Sequence, residues 1–236
     1  MTGDLLSLEQ SIMLKQEALQ LCTSDHSDRG GRLSSLGASL HHRSQMTGDL
    51  ASLEESIMLD QESLQLCPSD HPNQSKFMMS TANSYLQKFE FLHNPTSLAA
   101  ALEYMTAATM HTASQAFVCL QKATDGLAWI HRYFTEHSEA LATLLSKLLK
   151  MYQEAIKLFP HVASIGLDHS SRLWALRNSN KLGMGAAAVA LSLESTYEAV
   201  ELLEETRTVF WSQALCTRSP LDNLPPEDRD NLRELF

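Results

Sequence analysis

The chain has 236 residues, of which 44% are hydrophobic and 7% aromatic, and it carries a formal net charge of −10 at pH 7. Proteins that bind phosphate backbones need clustered Lys and Arg, so this acidic balance excludes nucleic acid as the expected partner. The low aromatic content and only nine glycines are also unlike a turn-rich β protein, and the composition therefore favours helices.

A near-identical duplication dominates the N-terminal part of the chain. Residues 1–26 return as residues 46–71, 45 positions later, with the shared pattern MTGDLxSLExSIMLxQExLQLCxSDH. Recurrence at a fixed period of this kind is typical of stacked-helix arrays, because one unit cannot bury its apolar face alone. The duplication therefore predicts an all-α fold of tetratricopeptide-like stacked antiparallel helix hairpins, which is an α-solenoid.

Each copy of the duplicated segment begins with a predicted helix. Leu8, Ile12 and Leu19 follow one another at four- and seven-residue steps, and the second copy has the same spacing. We expect these helices to end near Leu21 and Leu66, because links rich in Ser, Asp, Asn and Pro follow them. The second helices of the two hairpins are predicted over residues 31–44 and 75–92.

Beyond residue 92 the strict repeat fades into further helical patterns. Pro95 suits the first turn of a helix, and Pro160 is expected to end the strongest amphipathic helix of the chain. Turn-forming residues at 124–126, 178–180 and 192–195 predict breaks. The predicted helices cover residues 97–110, 114–122, 125–137, 138–159, 167–180, 182–193 and 196–217, and another begins at 227.

These patterns divide the sequence into three predicted regions. Residues 1–112 are predicted to hold the tetratricopeptide-like repeats, with units near 1–45 and 46–92 and a degraded unit at 93–112. Residues 113–217 are expected to continue the helical array. Residues 218–236 contain three prolines and predict a linker with the start of a further C-terminal region.

The motifs resemble those of fungal tetratricopeptide-repeat proteins that carry a caspase-like CHAT domain at the C-terminus. The TGDLxSLExSI core and the RLSSLGASLHHR stretch at 32–43 are similar to the long-period repeat of that family. The AVELLEETRTVFWSQAL stretch at 199–215 is similar to its segment just before the protease-like domain. The resemblance implies a recognition or regulatory scaffold, with the family's catalytic His/Cys dyad in a domain beyond Phe236.

No pattern in the sequence predicts catalysis, a cofactor site or a metal site. Phosphate-binding loop motifs do not occur, and the four cysteines lack CxxC spacing, so we expect reduced, buried thiols. Asp25-His26 and Asp70-His71 recur in the repeat loops. Neighbouring loop residues rarely converge on one ion, so we expect each Asp to cap a helix and each His to pack over its turn or hydrogen-bond it.

One cluster has the composition of a partner-binding anchor. Phe210 and Trp211 lie close to Arg207, and Trp and Arg dominate interface energetics. The same aromatic residues could instead belong to the core, together with Val200 and Leu203 of the same predicted helix. The neighbouring glutamates at 201, 204 and 205 are expected to form a solvated face.

The sequence supports two hypotheses from different classes, and neither makes this chain itself an enzyme. In the first, the chain is a non-enzymatic helical scaffold that binds a protein or peptide. In the second, it is the regulatory N-terminal part of a CHAT-type cysteine peptidase. Uncapped ends of the array predict self-association, and the absence of a signal-peptide pattern and of a long apolar segment predicts a cytoplasmic protein without a membrane partner.

Overall fold

The computed structural model describes residues 2–23, 26–111, 116–136, 144–162 and 169–216, and within these ranges every regular element is a helix. The predicted all-α class is therefore confirmed. The helices are α1 (Thr2–Gln20), α2 (Arg29–Thr47), α3 (Leu50–Leu66), α4 (Gln74–Leu92), α5 (Pro95–Thr109), α6 (Ala116–Glu136), α7 (Leu145–Lys157), α8 (Phe159–Val162), α9 (His169–Ser192) and α10 (Thr196–Cys216).

The chain divides into two compact units, Met1–Ala155 and Ile156–Phe236. In the N-terminal unit each helix from α1 to α5 packs against the next one along the chain, and α2 also contacts α4. In the C-terminal unit α9 packs along α10, and α8 contacts both helices. The sequence analysis placed boundaries at residues 112 and 217, where the repeat pattern fades and where the linker begins. These boundaries stay a prediction.

The first four helices lie where the duplication places them, with one informative difference. Helix α2 is longer than predicted and ends only at Thr47, so that the first two residues of the second sequence copy belong to it. Gly48 then adopts the left-handed conformation, with φ 73°, and its N–H bonds to Ser44 O. Asp49 caps α3 by accepting hydrogen bonds from the backbone of Ala51 and Ser52. The structural repeat therefore begins at the cap rather than at Met46.

The 45-residue period continues into a third unit whose sequence has diverged. His93, 45 residues after Gly48, is also left-handed, with φ 50°, and its N–H bonds to Phe89 O. Asn94 takes the place of Asp49 and accepts a hydrogen bond from the Thr96 N–H. Pro95 then begins α5, as its fixed φ favours. Different residues thus form the same junction.

The buried faces of α3 and α5 follow the same register. Six buried positions of α3 each have a buried counterpart 45 residues later, although most of the side chains differ. The pairs are Ser52 with Ser97, Leu53 with Leu98, Ser56 with Ala101, Ile57 with Leu102, Asp60 with Met105, and Ser63 with Ala108. Burial is therefore determined by position in the repeat, while the chemistry of the core changes from polar to apolar.

The predicted break at 124–126 is wrong, because α6 runs without interruption from Ala116 to Glu136. Thr124 satisfies its hydroxyl by donating to Leu120 O at 2.8 Å within the helix. Gly126 is buried, and a Cβ at this position would meet the Met105 side chain at 2.7 Å. The glycine therefore permits close packing of α6 on α5 instead of ending a helix.

The predicted break at 178–180 is also wrong, since α9 is continuous. Asn178 donates its side-chain Nδ2 to Trp174 O at 2.8 Å, so this turn-favouring residue is satisfied inside the helix. The break at 192–195 is confirmed, because α9 ends at Ser192 and α10 begins at Thr196.

Pro160 has a different role from the predicted one. Helix α7 already ends at Lys157, and Pro160 lies in the first turn of the short helix α8. Proline is well tolerated there because the first N–H groups of a helix have no intrahelical partner. The predicted start of the long helix at 138 and the region 218–236 lie outside the described residues.

Candidate functional site

A groove lies across α2, α4 and α6, which are the second helices of the three repeats in the N-terminal compact unit. Its volume is about 420 Å³. Side chains spaced three or four positions apart share one face of a helix, and each helix contributes one such row. The rows are His41 and Gln45 on α2, Asn83, Gln87 and Glu90 on α4, and Lys122, Gly126 and Trp129 on α6.

Gln87 lies in this groove with an incompletely satisfied amide. The residue is only 5% exposed, and its Nε2 donates to Ser44 Oγ at 3.2 Å. Its Oε1 is buried and has no hydrogen-bond partner. An unsatisfied buried polar group costs about 1–3 kcal/mol, so this atom is a point where a ligand would gain a hydrogen bond.

Trp129 forms one end of the groove and is held in place from two sides. Its indole Nε1 donates to Glu90 Oε1 at 3.0 Å. Its ring meets Phe89 edge-on, with the ring centroids 6.4 Å apart and the planes at 76°. Trp129 is half-buried, whereas Glu90 and Asp125 are exposed carboxylates of the same groove. This end therefore combines a fixed aromatic surface with negative charge.

His41 connects the groove to the polar core. Its Nε2 lies 3.0 Å from Gln45 Nε2, and its Nδ1 lies 3.2 Å from Ser84 Oγ. An amide NH₂ only donates, so Nε2 is the acceptor and Nδ1–H donates to Ser84. Ser84 in turn lies 3.2 Å from the Ser56 hydroxyl on α3. Burial and, to a smaller extent, His42 lower the pKa of His41, which favours this neutral form.

Lys122 gives the other end of the groove a positive charge. Burial, followed by the nearby charge of Lys76, lowers the pKa of the Lys122 ammonium group. Lys122 precedes Trp129 by seven residues, which corresponds to about 10 Å along a helix. The groove thus has a cationic end at Lys122 and an aromatic, acidic end at Trp129.

The residues predicted as a partner-binding anchor belong to the C-terminal unit. Arg207 is exposed, and its Nη1 pairs with Glu204 Oε1 at 3.0 Å. Phe210 and Trp211 lie in α10, but their side chains are outside the described part of the structure. The alternative interpretation placed Phe210 and Trp211 in the core together with Val200. Val200 is 60% exposed, so its predicted burial is wrong. The three glutamates at 201, 204 and 205 are exposed, as predicted.

The histidines of the repeat loops hydrogen-bond their turns, as predicted. The predicted cap at Asp70 is wrong, because the N-cap residue of α4 is Asn73, and Asp25 lies outside the described residues. The backbone N–H of Asp28 donates to His26 Nδ1, and the N–H of Asn73 donates to His71 Nδ1, both at 3.1 Å. These equivalent bonds fix the same turn in two units. In the described ranges, no three Cys, His, Asp or Glu side chains are placed to hold a metal ion together.

The cysteines only partly follow the prediction of buried thiols. Cys119 is buried, whereas Cys22 and Cys67 are half-buried, and none of these three thiols forms a disulfide. Burial, followed by the charge of Asp70, raises the pKa of the Cys67 thiol. A raised pKa keeps the thiol protonated and therefore unreactive at neutral pH. The Cys216 side chain is outside the described residues.

Sequence reasoning missed the groove because its residues come from three helices that lie some 40 positions apart in the chain. They form no local motif. One signal was available in the sequence. Gln87 lies on the apolar face of its helix, and a buried amide needs hydrogen-bond partners, so a polar residue at this position indicates a site of interest.

Comparison of the chain with protein-family models, with curated proteins and with solved structures finds no match. In the part of the chain that the structure describes, none of the helices combines the length and the apolarity that a membrane crossing requires.

Proposed function

We propose that this chain is a non-enzymatic helical-repeat scaffold that binds a protein or peptide segment in the groove across α2, α4 and α6. The observation that carries the proposal is the unpartnered, buried Oε1 of Gln87, a residue that lines that groove. An extended peptide offers a backbone N–H or a side-chain donor at every residue, and such a donor would satisfy this acceptor.

The repeated architecture supports the proposal. Equivalent junctions occur 45 residues apart, at Gly48 and at His93, and successive helices pack on one another. A tetratricopeptide-like α-solenoid has this arrangement, and stacked repeats of this kind offer extended surfaces for recognition. A cytoplasmic location belongs to the same proposal, and microscopy of a fluorescent fusion would test it.

The pairing of His41 with Ser84 supports a binding role rather than catalysis. A histidine beside a serine hydroxyl is also found in nucleophilic catalysis, where the hydroxyl must reach a substrate. Ser84 is only 1% exposed, and its hydroxyl contacts both His41 and Ser56. The pair therefore stabilises the core beneath the groove and is poorly placed to attack a bound molecule.

Phage display of random peptides against the purified full chain would test the proposal. We expect enriched peptides whose binding is lost on Asn83→Ala and Trp129→Ala. Asn83 is exposed, so its truncation does not disturb the core. Glu103→Gln is a matched control, since Glu103 is exposed on α5 and pairs with Lys147 outside the groove. Failure to enrich any peptide, or binding that survives the groove variants, would rule the proposal out.

The resemblance of residues 199–215 to the segment before a CHAT domain favours a second candidate. In it, the chain is the regulatory N-terminal part of a CHAT-type cysteine peptidase. Sequencing the transcript downstream of the codon for Phe236 distinguishes the two. An α/β domain with a His and a Cys in the same reading frame would support the second candidate, and an in-frame stop codon would remove it.

A further inference from the structure

We infer that the Trp129 end of the groove binds the guanidinium group of an arginine side chain in a peptide ligand. The inference rests on the proposed function and names the side chain that the groove selects. It follows from the acceptors, the charge and the aromatic surface that meet at this end.

The first step is the aromatic surface. Trp129 is half-buried, and Glu90 and Phe89 hold its ring in one orientation. A cation placed over the face of an indole is attracted by the ring quadrupole, and arginine is the cation most often found there. A ring that is already fixed loses no conformational entropy when the cation binds.

The second step is the pair of acceptors on α4. Gln87 and Glu90 are three residues apart, which is about 4.5 Å along a helix, and both lie in the groove. Gln87 Oε1 has no partner. The Glu90 carboxylate accepts one bond from Trp129, and a carboxylate has about four acceptor sites, so capacity remains for another donor.

The third step distinguishes arginine from lysine. A guanidinium group is flat and has five N–H donors in a fixed plane, so it can stack on an indole while it donates to two separate acceptors. A lysine ammonium is a compact, strongly hydrated charge and does not stack. The arrangement of one ring and two acceptors therefore matches arginine better.

The charge pattern sets the direction of the ligand. Glu90 makes the Trp129 end acidic, whereas Lys122 lies about 10 Å away along α6, next to Lys76. A cation entering the groove is attracted to the first end and repelled by the second. The net charge of −10 favours the approach of a basic peptide.

NMR of the full chain with ¹⁵N-labelled tryptophan provides the test, because each of the three tryptophans gives one indole N–H signal. Trp129→Phe assigns the signal of Trp129. The probe is N-acetyl-arginine amide, with N-acetyl-citrulline amide as its neutral analogue. We expect the Trp129 signal to shift with the arginine probe and the citrulline probe to bind at least about tenfold more weakly.

Two variants identify the acceptors, and a third serves as the control. Glu90→Gln removes the charge of an exposed residue without changing its size, and we expect arginine binding to weaken about tenfold. Gln87→Leu should weaken it about threefold, while the dispersion of the spectrum reports whether the variant is folded. Glu103→Gln should leave binding unchanged.

Equal shifts with citrulline, or no shift of the Trp129 signal at tens of millimolar arginine amide, would overturn the inference. The peptide selection separates this outcome from failure of the proposed function. Peptides that bind the groove but carry no arginine would refute the inference alone, whereas the absence of any groove-dependent peptide would refute both.

Discussion

Lys15 and Asp60 occupy the same position of successive repeats, 45 residues apart, and each bonds to the helix that follows it at equivalent residues. Lys15 Nζ donates to the backbone oxygen of Ser35 at 3.1 Å, and Asp60 Oδ2 accepts from the hydroxyl of Ser80 at 2.9 Å. Ser35 and Ser80 are themselves 45 residues apart. The two copies therefore join the same pair of positions, while the charge of the first residue is inverted between them.

The buried member of this pair should make stability depend on pH. Burial raises the pKa of Asp60 from 3.8 to about 7, against the opposing hydrogen bonds from Ser80 and Ser34. Between these values the folded state holds a proton that the unfolded state has lost. The contribution of Asp60 to stability therefore decreases as the pH rises from about 4 to about 7, by on the order of 4 kcal/mol, and does not change above that window.

Asp60→Asn removes this titration and isolates its contribution. We expect the variant to match the parent chain near pH 4 and to be more stable at pH 8, as measured by urea unfolding at a series of pH values. Asp125→Asn, which changes an exposed carboxylate, is the control and should leave the profile unchanged. Parallel profiles for the parent chain and Asp60→Asn would contradict the expectation.

Two glycines of α2 should respond in opposite directions to the same substitution. A Cβ on Gly37 would lie 3.0 Å from Asp60 Oδ1 and 3.3 Å from Ser56 O, so Gly37→Ala should destabilise the chain by about 1–3 kcal/mol. A Cβ on Gly31 meets no heavy atom within 4 Å, so Gly31→Ala should stabilise it by about 0.5–1 kcal/mol. Urea unfolding midpoints measure both. If the two substitutions changed the free energy of unfolding in the same direction, the close approach of the helices at Gly37 would be unimportant for stability.

In the C-terminal unit, Gly183 and Thr206 should be energetically coupled. A Cβ on Gly183 would overlap the Thr206 side chain, whose Cβ would be 3.1 Å away. Gly183→Ala is therefore expected to cost about 1–3 kcal/mol. Adding Thr206→Ala should recover part of this loss, and a double-mutant cycle measured by thermal unfolding gives the coupling, expected between about 0.5 and 3 kcal/mol. Strictly additive effects would exclude this packing contact.

Self-association is predicted to involve the exposed leucines of α1. Leu14 is 66% exposed, whereas Leu59, its counterpart in the next unit, packs against the core cluster of Ile12, Leu36 and Leu40 in the preceding hairpin. Leu14 thus presents to solvent a surface that is covered one period later. Sedimentation velocity should show a mass that rises with concentration, and Leu14→Glu should abolish the rise. Met58→Glu, at a site that is 63% exposed on α3, should retain it. A monomer at every concentration would contradict this prediction.

Local patterns predicted the elements whose causes are local. The start of α5 at Pro95 was visible in the sequence because the fixed φ of proline acts within its own residue. Gly126 was misinterpreted because its reason lies outside its helix, in the side chain of Met105 on α5. A glycine at a close contact and a glycine at a turn look alike in a sequence.

The groove illustrates the same limit more strongly. Gln87, Glu90 and Trp129 acquire a shared role only when α4 and α6 pack side by side. The sequence patterns predicted α4 as one helix and α6 as two shorter ones. The spacing of apolar residues contains no information on the angle at which α4 and α6 pack, because that angle depends on the shapes of the side chains at the contact.

The junctions at Gly48–Asp49 and His93–Asn94 have a consequence for the length of the chain. Each repeat boundary carries its own stop and start signals, and neither depends on the identity of the neighbouring unit. A crossover between the copies that removes or adds 45 residues would therefore preserve every helix end. The number of hairpins in such a chain can therefore change by whole units. Each gain or loss of 45 residues would add or remove one second helix from the row that lines the groove.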